Sequence, residues 1–103
     1  MNITPVSHVA SHRTGTLRNV TAEEISEVLG FSPNVDDDPY KVENSWAAEV
    51  NDFPGCFTDD IFPVAVWDYK GSHHVGEYSC FGDHDVMIAL FGRKYSGNYA
   101  DYY

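Results

Sequence analysis

The strongest constraint on the fold comes from residues 63–69, a segment with apolar side chains on both faces of a strand. Val64 and Val66 alternate with Ala65 and Trp67. A strand that is apolar on both sides belongs in the middle of a sheet, because that position buries both of its faces. We therefore expect partner strands on both sides of this segment.

The two partner strands are predicted directly before and after it. Residues 45–50 alternate between the two faces and place Trp46 on the apolar one, as in a half-buried strand. After a turn in which Gly71 tolerates a positive φ, residues 73–81 alternate again. The three segments predict an antiparallel meander with Trp46 and Trp67 in the core.

Local capping signals predict one helix before this meander in the sequence and one after it. Thr21 and Glu24 have capping-box spacing, and Gly30 supplies the left-handed residue that ends a helix. Asp83 is placed to cap a second helix, which Gly92 would end. The expected fold class is α+β, a three-stranded antiparallel β-meander with two short helices packed on one face, in the order α-β-β-β-α.

Length and composition predict one domain with two flanking segments. The 103 residues are 43% apolar, which suffices for one core. Residues 1–19 are expected as an N-terminal arm, residues 20–92 as a single α+β domain, and residues 93–103 as a tyrosine-rich C-terminal tail. A short helical turn over residues 39–44 is also expected, because Asp38 precedes a proline there.

The distribution of charge restricts the kinds of partner. Fifteen of the sixteen carboxylates lie between residues 19 and 92, where Lys41 and Lys70 are the basic side chains, and the chain carries −10 overall. Such a field repels nucleic acid and anionic lipid and attracts basic surfaces. The sequence shows no membrane-spanning apolar run and no signal peptide, so the expected location is the cytoplasm of the host cell. Solubility alone is the competing explanation of the charge.

No motif in the sequence predicts a reaction. A catalytic nucleophile needs a histidine and an orienting acid in contact, and nothing places Cys56 or Cys80 beside a histidine. We expect free thiols at both cysteines, with one disulfide as the alternative. The chain is expected not to be an enzyme and to need no cofactor. An enzyme that uses Cys80 or His84 is a minor alternative, which would require a deep pocket around those side chains.

No metal site is predicted. His8 and His12 have helical spacing for a shared metal, but the serines and glycine around them make that helix weak. The aspartate run at residues 36–38 lacks the alternating oxygens, the glycine and the terminal glutamate of a calcium loop. Asp83 directly precedes His84, and we interpret this aspartate as a helix cap rather than as a metal ligand.

A capped helix, an aspartate loop and a hairpin carry a family resemblance. The motifs are, in chain order, VTAEEI to LGF (residues 20–31), PNVDDDP (33–39), KV to SW (41–46) and WDYKGS (67–72). Together they resemble small uncharacterised bacteriophage-encoded proteins over about residues 20–92. The resemblance implies a phage or prophage setting.

The charge and this setting together predict a function. We expect a small acidic phage-type protein that binds a basic surface of a host protein or nucleoprotein complex. It would inhibit a nucleic-acid-binding defence complex, as an anti-CRISPR or anti-restriction protein that imitates DNA. The alternative is a non-catalytic structural or assembly module of a phage. The predicted partner-binding residues are Glu23, Glu27, Asp36, Asp37, Asp38, Asp59, Asp60, Tyr99 and Tyr102.

Overall fold

The structure is a computed structural model that describes residues 1–7, 9, 13–35, 42–53, 60–69 and 75–97, with the backbone alone at residues 42, 43 and 69. Its strands are β1 (Asn2–Pro5), β2 (Gly15–Leu17), β3 (Val42–Asn51), β4 (Phe62–Tyr69), β5 (Tyr78–Phe81) and β6 (Tyr95–Gly97). Its helices are α1 (Ala22–Leu29) and α2 (His84–Phe91), and a 3₁₀ turn at Gly92–Lys94 follows α2.

The described strands form one antiparallel sheet in the order β1-β3-β4-β5-β2-β6. The α+β class is confirmed, and β4 lies inside the sheet as predicted. The prediction of a three-stranded meander is wrong, because the sheet has six strands. The missed strands β2 and β6 have three residues each, too few to show alternation, and they pair with each other across most of the chain.

The flanking segments therefore contribute to the sheet. The first nineteen residues supply β1 and β2, and the tyrosine-rich tail supplies β6. The ring of Tyr95 lies across Gly15, where an added Cβ would be 2.4 Å from the Tyr95 ring and 2.7 Å from the carbonyl oxygen of Ser96. The Tyr95 hydroxyl hydrogen-bonds Nδ1 of His84, the first residue of α2. Gly15 thus allows the contact that joins β2, β6 and α2.

The loop after α1 covers the edge of β3 where β1 ends. The Asn34 side chain accepts a hydrogen bond from the Ala47 N–H (2.9 Å) and donates to the carbonyl oxygens of Ala47 (3.1 Å) and Val6 (2.8 Å). The backbone N–H groups of Asn34 and Val35 both donate to the Ser45 carbonyl. These bonds satisfy groups that an open sheet edge would expose.

The core lies between the two helices and one face of the sheet. Alternate residues of β3, among them Trp46 and Val50, have no exposed surface. The Trp46 indole N–H donates to the Ser26 hydroxyl of α1 (3.3 Å), and its ring packs edge-on against Tyr78. The helices contribute to this core the buried residues Ile25, Leu29, Val86, Met87 and Phe91. The core position predicted for Trp46 is confirmed.

Trp67 does not share that position. It is half-buried on β4 and lies on the other face of the sheet from Val64 and Val66, which pack in the core. The prediction that Trp67 is a core residue is therefore wrong. Alternation identified the two faces of β4 correctly, but it could not tell which of two apolar faces the helices would cover.

The predicted helix ends are confirmed. The Thr21 hydroxyl accepts from the Glu24 N–H (3.1 Å), and Gly30 ends α1 with φ of 90°. The Asp83 carboxylate accepts from the second and third backbone N–H groups after it, and Gly92 follows the last residue of α2.

Two other boundaries differ from the prediction. Residues 42–44 belong to β3 rather than to a helical turn, and residues 39–41 lie outside the described part of the chain. The pairing of β3 with β4 is irregular between Val42 and Ser45, which explains why the alternation is hard to read there. The third meander strand begins at Tyr78, and residues 73–74 also lie outside the described part.

Candidate functional site

The structure describes three of the nine predicted partner-binding residues. Glu23 and Glu27 are exposed on α1, and Asp60 is exposed two residues before β4 begins. The other six, Asp36, Asp37, Asp38, Asp59, Tyr99 and Tyr102, lie outside the described residues.

Glu23 and Asp60 lie at opposite ends of the sheet. α1 begins beside the entry to β5, because the Val20 N–H donates to the Gly76 carbonyl. Asp60 leads into β4, which is antiparallel to β5. The start of β4 is therefore next to the end of β5, far from the start of α1. The predicted residues of α1 and of the loop before β4 do not form one cluster.

Asp60 belongs to a different group of acids, which we name the acidic end: Asp52, Asp60, Asp83 and Asp85. β3 ends, β4 begins and β5 ends at the same end of the sheet. The residues that follow or precede those strands therefore lie close together. All four acids are exposed. Asp83 also caps α2, and Arg13 is a basic residue at the same end, since Thr14 next to it hydrogen-bonds Gly82.

The other end of the sheet, the balanced end, carries charges of both signs. The Arg18 N–H donates to the Lys94 carbonyl, which places Arg18, Arg93 and Lys94 near the start of α1. The Lys94 ammonium donates to the Glu24 carboxylate (2.6 Å). This hydrogen bond is the main reason that the pKa of Glu24 lies below its ordinary value. Exposed Glu23 and Glu77 also lie at this end.

One carboxylate contributes nothing to the surface. Asp68 has no exposed area and accepts hydrogen bonds from the backbone N–H (2.7 Å) and the side-chain amide (2.8 Å) of Asn44. Burial, and secondarily the charge of Asp68, raise the pKa of the neighbouring Tyr78. Counting acids along the sequence therefore overstates the charge presented to a partner.

A groove between α1 and α2 was not predicted. It has a cavity volume of about 220 Å³, and its lining consists of the apolar residues Val20, Ile25, Val28, Leu90 and Phe91 together with the Glu24–Lys94 ion pair. Val28 keeps 38% of its surface exposed. The two walls come from helices about sixty residues apart in sequence, so their apolar stripes could be predicted singly but their juxtaposition could not.

Cys80 and His84, the titratable groups that the sequence suggested for catalysis, are both among the described residues. Cys80 is a free thiol with no exposed surface, and burial raises its pKa from 9.0 to about 12. A thiol with this pKa is a poor nucleophile near neutral pH. The ring of His84 is hydrogen-bonded to Tyr95. Cys56, the other cysteine, lies outside the described residues.

Metal-ligand clusters and membrane-crossing helices are both absent from the described residues. No three His, Cys, Asp or Glu side chains there are grouped as metal ligands would be, and no helix there has the length and apolar content to cross a bilayer. His8, His12 and the aspartates at residues 36–38 lie outside this part of the chain.

Comparison with known protein families, curated proteins and solved structures finds no match to this chain.

Proposed function

We propose that the protein binds a basic surface of a host nucleic-acid-binding defence complex, such as a CRISPR effector or a restriction enzyme, and inhibits it by occupying the place of nucleic acid. The acidic end is the contact surface in this proposal. The observation that carries it is the gathering of Asp52, Asp60, Asp83 and Asp85 at one end of the sheet, where they outnumber Arg13, while Arg18, Arg93 and Lys94 lie at the other end.

This separation of charge supports imitation of a phosphate backbone. Proteins that bind nucleic acid neutralise phosphates with lysine and arginine, and most of these contacts do not depend on sequence. Carboxylates at one end of a domain are negatively charged, as phosphates are. They can therefore bind the same lysine and arginine side chains. Attraction of this kind also accelerates association at low ionic strength.

Charge reversal at the acidic end tests the proposal. The immobilised protein is first used to isolate its target complex from host lysate. The variant Asp60→Lys/Asp85→Lys should lower the affinity for that complex by about tenfold or more, and inhibition of nucleic-acid binding should fall in parallel. The matched control is Glu23→Lys/Glu77→Lys, which reverses two exposed charges at the balanced end and should change the affinity by less than about threefold. Equal losses in both variants would refute a local contact surface. Circular dichroism checks that the fold of each variant is retained.

A second candidate function, a structural or assembly module of a phage, is favoured by exposed apolar residues at the same edge. Ile61 is 59% exposed just before β4, and Met1 is 45% exposed beside the end of β3. In this case Ile61→Ser should weaken partner binding more than the double charge reversal does. A deletion that tests the tyrosine-rich tail should begin after Gly97, because Tyr95–Gly97 forms β6.

A further inference from the structure

We infer that two copies of this chain bind each other through the open face of the sheet, the side on which Ala47, Ala65 and Trp67 lie. Both described helices pack on the other side, which carries Val64 and Val66 in the core. The inference goes beyond the proposed function, because the acidic end lies at the ends of the strands rather than on this face. Either surface can fail its test without affecting the other.

The open face is apolar along its centre. Pro63, Ala65 and Trp67 alternate with the core residues of β4, Ile61 continues this alternation just before the strand, and Ala47 lies beside Ala65 on β3. Ile61 is 59% exposed, Pro63 is also exposed, and Trp67 is half-buried. An antiparallel sheet that faces water on one side normally has polar residues there. An apolar row on that side therefore indicates a second packed layer.

The open face lacks the charge that characterises the rest of the chain. Among the strand side chains that the structure describes, Glu49 is the only charged one on this face. The others are uncharged, for example Thr16 and Ser79 beside the apolar row. Charges of both signs occur just beyond the strands, at exposed Arg18 and Glu77. An apolar centre with a polar rim is the usual arrangement at a protein–protein interface.

This charge pattern favours a second copy over other partners. A basic partner meets one carboxylate on the described strands of this face, and an anionic partner meets no cation there, so neither is attracted. A two-fold interface places the same patch of both copies in contact, which uncharged side chains allow and like charges oppose. For a chain with a net charge of −10, the open face is therefore a place where two copies can approach with little local repulsion.

The size of the open face predicts a weak dimer. Six strands with a spacing of about 4.8 Å make the sheet roughly 29 Å wide, and the eight residues of β4 span roughly 26 Å. Because several of the other strands are shorter, the contact would bury roughly 1,000 Å² in total, which is near the minimum for a specific interface. We expect a dissociation constant of about 10–100 μM.

Sedimentation velocity of the full chain at increasing concentration tests the inference. The average mass should rise from that of a monomer towards that of a dimer, and added salt should strengthen the dimer because it screens the repulsion between the two net charges. Binding through the acidic end has the opposite salt dependence, so the two surfaces can be distinguished. A monomer at every concentration up to about 1 mM in high salt, or a dimer that salt weakens, would overturn the inference.

A matched pair of variants locates the contact. Ile61→Glu should weaken the dimer about tenfold or more, because it places a carboxylate of each copy at the apolar contact. Ile88→Glu makes the same substitution at an isoleucine of α2 that is 48% exposed, and it should change the dissociation constant by less than about twofold. Both positions are exposed, so both variants should fold. Equal weakening by the two substitutions would contradict the inference.

Tryptophan fluorescence gives a second measurement on the unmodified chain. Trp46 has no exposed surface, so quenching by acrylamide reports mainly on half-buried Trp67. Quenching should decrease as the dimer forms, and it should stay constant with concentration in Ile61→Glu. A dimer that leaves the quenching of the wild type unchanged would show that the contact lies elsewhere and would overturn the inference.

Discussion

The two ends of the sheet carry different charge although they are built from the same strands. The acidic end presents Asp52, Asp60, Asp83 and Asp85 with Arg13 nearby, whereas at the balanced end Arg18, Arg93 and Lys94 lie close to acids of α1 and Glu77. Net charge alone does not reveal this difference, because both ends contribute to the same total of −10. Antiparallel pairing creates this difference in charge, because successive loops along the chain lie at opposite ends of the sheet.

We expect the largest effect from a substitution of Gly15, because its contact with Tyr95 holds β2 and β6 together at the acidic end. Gly15→Ala would place a Cβ within 2.4 Å of the Tyr95 ring and 2.7 Å of a backbone oxygen, so β6 would have to move. We expect a loss of about 1–3 kcal/mol in the free energy of unfolding, measured by urea denaturation. Thr16→Ala, on the other face of β2, should cost less than half as much. Equal costs would show that the approach of Tyr95 to Gly15 is unimportant.

A second prediction concerns alkaline pH and the buried thiol between the two ends. The pKa of Cys80 is raised from 9.0 to about 12, so the folded state holds a proton that the unfolded chain releases above pH 9. The contribution of this thiol to stability should be constant below pH 9 and should fall by at most about 1.4 kcal/mol per pH unit above it. Urea denaturation at several pH values measures this slope. Cys80→Ala should reduce the slope, and an unchanged slope would contradict burial of the thiol.

The smallest effect is expected at the balanced end. The pKa of Glu24 is lowered, mainly by the hydrogen bond from Lys94, so the stability from this pair is present at neutral pH and is lost as the pH falls through that pKa. Glu24→Gln should therefore be slightly less stable than the wild type at neutral pH and equal to it in acid. Glu23→Gln should show no such difference. Thermal denaturation of both variants and the wild type measures this difference in stability. A difference for Glu24→Gln that persists in acid would contradict its assignment to the Glu24–Lys94 pair.

Local signals explain what could be predicted from the sequence. Thr21, Gly30 and Asp83 act within a few residues of themselves, so the helix ends could be predicted correctly. Alternation likewise identified β4 and the core residue Trp46.

The features that escaped prediction depend on residues distant in the chain. The partner of Glu24 is Lys94, seventy residues away, and β2 pairs with β6 at a similar separation. The position of Trp67 depends on which face the helices cover. The candidate site was affected in the same way, because the grouping of Asp60 with Asp83 rather than with Glu23 follows from strand order alone.

The dependence of target binding on ionic strength tests the central claim most directly. If the acidic end meets a cationic surface, the affinity for the defence complex should fall steeply as the salt concentration rises. The affinity of the variant Asp60→Asn/Asp85→Asn should fall less steeply than that of the wild type. The two proteins should bind almost equally at high salt. An affinity that stays constant across the range, or identical salt dependence in the variant, would contradict the claim.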